Sequence, residues 1–206
     1  MLQYQTVSPT LLNVLKKWQG YEELANFKLV GGTALSLFYG HRKSVDIDLF
    51  SANEIPQSLN VLMAKNNNIN IIVNGRYHVA IADNGIKVDF AFWNMEFEEF
   101  DTIDGIRMAS PLDIFAMKLD AITTRRTQKD YFDIAELIQY FGLKKGFERY
   151  NKHFPYSKNS QIIFEAIGGI DDADESETPI MLKNQKWEEA KLFIKTSAQD
   201  FFLKGL

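Results

Sequence analysis

The chain of 206 residues contains no cysteine. That excludes a disulfide framework, a thiolate zinc site and a cysteine nucleophile, and it fits a reducing cytoplasm. No stretch approaches the ~20 apolar residues of a membrane span. The opening residues, MLQYQTVSPT, have no basic segment leading into an apolar one, so no secretory signal is expected. Excess positive charge is also missing. The formal net charge is -4, which argues against nucleic-acid binding through bulk charge and leaves only a local basic patch open. What the chain has in quantity is core material. With 46% hydrophobic residues, including 16 Phe, 8 Tyr and 3 Trp, it is not a disordered polymer. Its length suits one domain, or two small ones sharing an interface.

Local signals divide the chain near residue 110. Ser8-Pro9 followed by Leu11, Leu12, Val14, Leu15 and Trp18 predicts a capped helix ending at Gly20. A short helix over 21–25, a strand over 27–30 and a helix from Thr33 to Tyr39 follow, with Gly31-Gly32 as the turn between the last two. Residues 45–50 alternate and predict a strand, and Ile55-Pro56 opens a helix to about Lys65. Strands are expected at 69–74, 77–83 and 86–93, the last two joined by Asn84-Gly85, and a further one within 102–108. From Ser110 the pattern turns helical: 111–124, 128–141, 143–152, 159–167 and 186–204. Residues 168–178, GGIDDADESET, read as a solvated acidic loop. The expectation is an α+β protein. A mixed α/β part (1–109) and an all-helical part (110–206) would face each other across a cleft.

Chemistry concentrates in a few places. Asp46 and Asp48 are two apart on an expected strand and so share a face, while Val45, Ile47 and Leu49 take the buried one. Asp89, in Ile86-Lys87-Val88-Asp89-Phe90, likewise stands opposite an apolar face. If the two strands are neighbours, three carboxylates converge, and their repulsion calls for a cation. Oxygen-only ligation suits Mg²⁺. The plainer alternative is the wet face of a half-exposed strand. Gly31-Gly32-Thr33 is either a phosphate-binding turn at a helix start or a tight turn that binds nothing. Arg42 and Ser44 lie on the connecting loop. Lys118, Arg125 and Lys129 would form a cationic row on one continuous helix. The row suits a triphosphate, or it is a solvated face. Asp130 is open to reading as a helix-start carboxylate.

Taken together, Gly31-Gly32-Thr33-Ala34-Leu35, Arg42-Lys43-Ser44-Val45-Asp46-Ile47-Asp48-Leu49-Phe50, Met117-Lys118-Leu119-Asp120-Ala121-Ile122, and Arg125 with Lys129-Asp130-Tyr131-Phe132-Asp133-Ile134 resemble the AbiEii/AbiGii toxin family of nucleotidyltransferases. The resemblance runs from about residue 28 to 138 with its four motifs in order. It implies a DNA polymerase β-type nucleotidyltransferase fold, a small mixed sheet flanked by helices. It also implies roles. Gly31, Gly32 and Thr33 would contact the triphosphate, Asp46 and Asp48 would hold Mg²⁺ (or Mn²⁺), and Lys118 would bind phosphate. Asp130 belongs to the last motif, and Asp89 matches the third carboxylate.

The implied reaction is transfer of a nucleoside monophosphate from an NTP to an acceptor hydroxyl, an RNA such as tRNA among the candidates. The implied setting is a toxin–antitoxin or phage-defence system with an antitoxin partner. Two rivals stay open on the residues alone: a metal-dependent phosphoesterase using the same carboxylates, and a non-catalytic nucleotide-binding regulator. Residues 143–158, LKKGFERYNKHFPYSK, interleave Lys144, Lys145, Arg149, Lys152 and Lys158 with Phe147, Tyr150, Phe154 and Tyr156. They form an RNA-docking patch, or a helix with its aromatics in the core.

Overall fold

In the computed structural model, which describes residues 1–154 and 160–203, Ser8 caps helix α1 (Pro9–Gln19), its hydroxyl accepting the Leu11 amide hydrogen at 3.1 Å. The helix buries Leu11, Val14, Leu15 and Trp18. Strand β1 (Lys28–Val30) leads into α2 (Gly31–Tyr39), and β2 (Ile47–Ser51) into α3 (Ser58–Ala64). Strands β3 (Ile69–Asn74), β4 (His78–Asp83) and β5 (Ile86–Phe92) form a meander. Asn84 and Gly85 close its second turn, both with positive φ (50° and 79°), as a two-residue hairpin turn of this type requires.

The five strands form one mixed sheet in the order β1-β2-β5-β4-β3. Strand β2 pairs antiparallel with β1 and parallel with β5, while the meander pairs are antiparallel. One face of the central pair, with Ile47, Leu49, Val88 and Phe90, is fully buried. The Trp18 ring meets Phe90 edge-on at 5.2 Å, and its indole N–H donates to Asp83 at 2.7 Å, so the α1 contact is both apolar and polar. Two expectations change here. Strand β2 begins at Ile47, and Val45 is 69% exposed rather than buried. Residues 102–108 form no strand. They make isolated bridges, Leu29 with Met108 and Ile103 with Ile106, around an Asp104-Gly105 turn with positive φ.

By its contacts the chain divides into two compact units, Met1–Ser110 and Pro111–Leu206. The second holds α4 (Pro111–Thr124), α5 (Gln128–His153), α6 (Ser160–Gly168) and α7 (Trp187–Leu203). Helix α5 is broken at Gly142 (φ 71°, ψ 154°), which reconciles one long element with the two expected ones. Its core is aromatic: Phe147 stacks on Phe164 at 4.8 Å and on Phe201 at 5.1 Å.

The five carboxylates of the expected acidic loop are exposed, but the segment is anchored in the core. Residues Ile170–Ala173 form a 3-10 turn with Ile170 and Ala173 buried. The acids around them are pinned by cations: Asp171 by Lys195 (2.8 Å), Asp174 by Lys191 (3.0 Å), and Asp172 by Arg126. Trp187 also donates to Asp174 at 2.6 Å. Charge composition concealed this because the two apolar anchors are isolated among acids. If the turn is part of the core, Ile170→Ala should cost about 2–5 kcal/mol in urea unfolding. A solvated loop would show a loss within about 0.5 kcal/mol.

Candidate active site

The site of the α/β unit grows from three adjacent strands. Val30, the last residue of β1, is the register partner of Asp48 on β2, and Asp48 is the partner of Asp89 on β5. The helix after β1 starts at Gly31 itself. Gly31-Gly32 is thus the first turn of α2 rather than a loop before it, and no side chain caps that helix start. Both glycines are points of close approach, and Gly31 is also required by its backbone. Gly31 has φ +68°, and a Cβ there would overlap the Asp48 carboxylate; a Cβ on Gly32 would overlap the Arg42 guanidinium. The uncapped α2 start, Asp48 and Arg42 are thereby drawn together.

The linking residues are held just as closely. The Thr33 hydroxyl donates to the Asp46 carbonyl and lies 2.8 Å from the Ser44 hydroxyl. The Ser44 amide donates to the Thr6 carbonyl at 3.0 Å. Arg42 is buried and donates to the Lys43 carbonyl at 3.0 Å. Asp46, just ahead of β2, and Asp48 within it are half-buried.

Asp89 is buried, and two partners missing from the sequence reading engage it. His78 Nε2 donates to one carboxylate oxygen at 2.7 Å, and Lys87 Nζ to the other at 2.5 Å. The Lys87 signal was present in the sequence, because a residue two before Asp89 on a strand shares its face. The His78 contact depended on the β4–β5 register, which no local pattern reveals. Partial burial works against the Lys87 ammonium. The hydrogen bond and charge of Asp89, with the charges of Asp48 and Asp46, outweigh this and raise its pKa.

These carboxylates suit a hard dication in chemistry and register: an all-oxygen set, with Asp48 and Asp89 side by side and Asp46 two residues earlier on the same strand path. Among the described residues, no three His, Asp or Glu side chains stand together closely enough to enclose a metal ion. Asp89 is instead paired with Lys87 and His78.

In the helical unit the expected break between residues 124 and 128 is present, and Lys118, Arg125 and Lys129 form no continuous row. Helix α4 ends at Thr124, and α5 begins at Gln128. Lys118 is buried, with its ammonium 2.8 Å from Asp130 and 2.6 Å from Asp133, both fully buried. Arg125 also reaches Asp130, at 3.0 Å, but its side chain is largely exposed, as is Lys129. Thr127 donates to Asp130 at 2.7 Å. Burial pushes the Asp130 carboxyl up in pKa, but Lys118, Arg125 and Thr127 together bring it down to about 2.

Within 143–158 the described residues divide between core and surface. Phe147, Tyr150 and Arg149 are buried, and Arg149 Nε donates to the buried Asp113 at 2.6 Å, beside His153 at 2.8 Å. Lys144, Lys145 and Lys152 are exposed. Tyr156 and Lys158 lie outside the described residues.

Residues 21–202 match the family described as Nucleotidyl transferase AbiEii toxin, Type IV TA system. The chain belongs to that family. This AbiEii protein is therefore a transferase enzyme, which sets aside the reading as a non-catalytic regulator. It is 29% identical over 183 residues to an uncharacterized protein, aq_aa25, of Aquifex aeolicus, covering 85% of this chain and 88% of that protein. In structure it is similar to JHP933 from Helicobacter pylori, with a TM-score of 0.56 and 22% identity over 96% of this chain and 94% of that one. It is also similar to the antibiotic-resistance factor ANT(2'')-Ia, with a TM-score of 0.50 and 17% identity over 69% of this chain and 90% of that one. Both structural likenesses are of fold. Among the described residues no helix is long and apolar enough to cross a membrane.

Two predictions follow the AbiEii geometry. Gly31→Ala strains a left-handed backbone and displaces Asp48, so it should lower stability by about 1–3 kcal/mol. Gly32→Ala meets the guanidinium end of Arg42 but has no left-handed φ to strain, so it should cost less. Thermal melts of the two variants check the ranking.

In the helical unit, Lys118→Ala leaves two buried carboxylates without their shared cation and should cost about 3–5 kcal/mol in denaturant unfolding. The Asp130 carboxyl is depressed from 3.8 to about 2. Its stabilisation, about 2 kcal/mol, is therefore complete above pH ~4 and lost as pH falls through about 2. Asp130→Asn should remove that part of the acid dependence.

Proposed function

We propose that this AbiEii protein transfers a nucleoside monophosphate from an NTP to an acceptor hydroxyl, with Asp46, Asp48 and Asp89 as the metal-binding carboxylates of the reaction. The observation that carries this reading is the Asp48–Asp89 register on parallel strands, beside the helix start at Gly31. Asp46 and Asp48 would hold Mg²⁺. When bound, that ion would draw together the triphosphate and the acceptor oxygen and screen the charge of the leaving group.

The chain's own residues do the rest. The uncapped amides of the α2 first turn, at Gly32 and Thr33, offer hydrogen bonds and positive potential to phosphate oxygens. Arg42, seated against Gly32, supplies a fixed cation to the same place. Ser44 and Thr33 hold the Asp46 backbone, so the first carboxylate is oriented before substrate arrives. The acceptor oxygen bonds to the α-phosphorus, the bond from that phosphorus to the bridging oxygen breaks, and pyrophosphate leaves. The acceptor proton passes to Asp89. In the helical unit, Arg125 and Lys129 present exposed cations suited to phosphate. Lys118 with Asp130 holds the start of α5, a positioning role for both rather than direct phosphate binding.

An RNA acceptor, tRNA among the candidates, an antitoxin partner, and action in the cytoplasm as a toxin or defence component complete the proposal. They are supported by membership of the toxin family. With each labelled NTP, Mg²⁺ and total RNA, the wild type should label a discrete RNA and release pyrophosphate. Asp46→Asn and Asp48→Asn should each reduce labelling by at least about 10²-fold while retaining the wild-type melting profile. Orthophosphate as the released product would support the phosphoesterase instead, and full labelling by a folded Asp48→Asn would remove the carboxylates from the mechanism.

A further inference from the structure

Three carboxylates assembled on one sheet face repel each other before any metal or nucleotide arrives, and a protein must offset this to fold. The structure contains a cation in that position. Lys87 lies two residues before Asp89 on β5 and hence on the same face, and its ammonium sits 2.5 Å from one Asp89 oxygen. Its charge also acts on Asp48 and Asp46. Across the strands, the partners of Asp89 and Lys87 on β4 are Ala80 and Ala82, and the partner of His78 on β5 is Ala91. On the β4 side the pair therefore faces small residues, and His78 also hydrogen-bonds to Asp89.

The two partners differ in how they are bound. His78 is a short, stiff side chain two strand positions from the partner of Asp89. The two side chains are equally exposed, 48% each against 9% for Asp89, but Lys87 reaches its carboxylate through a long flexible stem. A half-exposed ammonium on such a stem can return to water at little cost. A dication brings twice the charge to the same oxygens.

We propose that Lys87 is a displaceable counter-ion, pairing with Asp89 and offsetting part of the charge of the Asp46–Asp48–Asp89 group until a divalent cation enters, and then giving up its Asp89 oxygen while His78 keeps the other. Lys87 is therefore a positioning residue that sets metal affinity, and it acts before any nucleotide binds. The inference rests on the reading of these carboxylates as the metal site.

The test is calorimetric titration of the whole chain with Mg²⁺ alone and with Mn²⁺ alone, without nucleotide, in parallel with thermal melts. Lys87→Met removes the competing charge and keeps the stem. It should bind the ion about two- to fivefold more tightly than wild type, the range set by one partly exposed ion pair. Its metal-free form should melt lower, and its gain on adding metal should be larger. Lys87→Arg retains the charge and should bind no more tightly than wild type. Lys87→Gln, shorter and polar, should follow Lys87→Met. If Lys87→Met and Lys87→Gln bind the ion equally or more weakly than wild type, the counter-ion role is overturned while the carboxylate site stands. If wild type shows no saturable binding, or Asp48→Asn binds as wild type does, the metal reading fails and the inference falls with it.

Discussion

The parallel pairing of β2 with β5 is the constraint on which the chemistry of this protein depends. It sets Ile47 beside Val88 and Leu49 beside Phe90 on the buried side, and Asp48 beside Asp89 on the other. A slip of β2 by one residue would exchange its faces, burying Asp48 and exposing Ile47 and Leu49. Apolar burial therefore enforces the register, and the register brings the acids together. The same logic reaches β1, where the Val30–Asp48 pairing puts the start of α2 next to the second carboxylate. The position of the glycine turn is settled by the hydrophobic side of the sheet.

Buried acids recur throughout the chain, and cations or other donors meet them. Asp83 receives the Trp18 indole and Lys17; Asp89 receives His78 and Lys87; Asp113 receives Arg149 and His153. Lys118 serves Asp130 and Asp133, and Lys183 serves Glu136. Leaving any of these charges unpaired would be costly, so they act as constraints on which packing is allowed. The difference among them lies in exposure. The Lys118 and Arg149 ion pairs are sealed, whereas those of Lys87 and Lys183 are open to water along the cationic side chain. Sealed pairs fix structure, and open ones can be exchanged.

Much of this was legible in the sequence where one local rule dominated. The Ser8-Pro9 cap, the Asn84-Gly85 turn and the alternation around Asp48 and Asp89 each have a single physical cause, and each placed its element. The resemblance to AbiEii nucleotidyltransferases rested on short motifs in a fixed order, and those motifs lie within the matched residues 21–202. Legibility failed where distant residues decide. Val45 obeys the alternation, yet the strand begins two residues later, and Ile170 is core although its neighbours are acids. Lys118 looked like a surface cation because helical spacing cannot show that Asp130 and Asp133 of the next helix fold back over it. Arg149 was misplaced for the same reason, its partner Asp113 lying on a different helix.

Chain connectivity adds a kinetic side to the parallel pair. The β4–β5 hairpin closes across Asn84-Gly85, and β3–β4 across residues 75–77. The β1–β2 contact closes over residues 31–46, whereas β2 and β5 meet only after residues 52–85 have been looped between them. That is the longest closure in the sheet and carries its largest entropy penalty. A chain that holds Asp48 against Asp89 has therefore already brought together the two strands farthest apart in sequence among its paired neighbours. Partly folded chains with only the meander in place hold one of the three carboxylates, Asp89, and the complete set coincides with the pairing of β2 on β5.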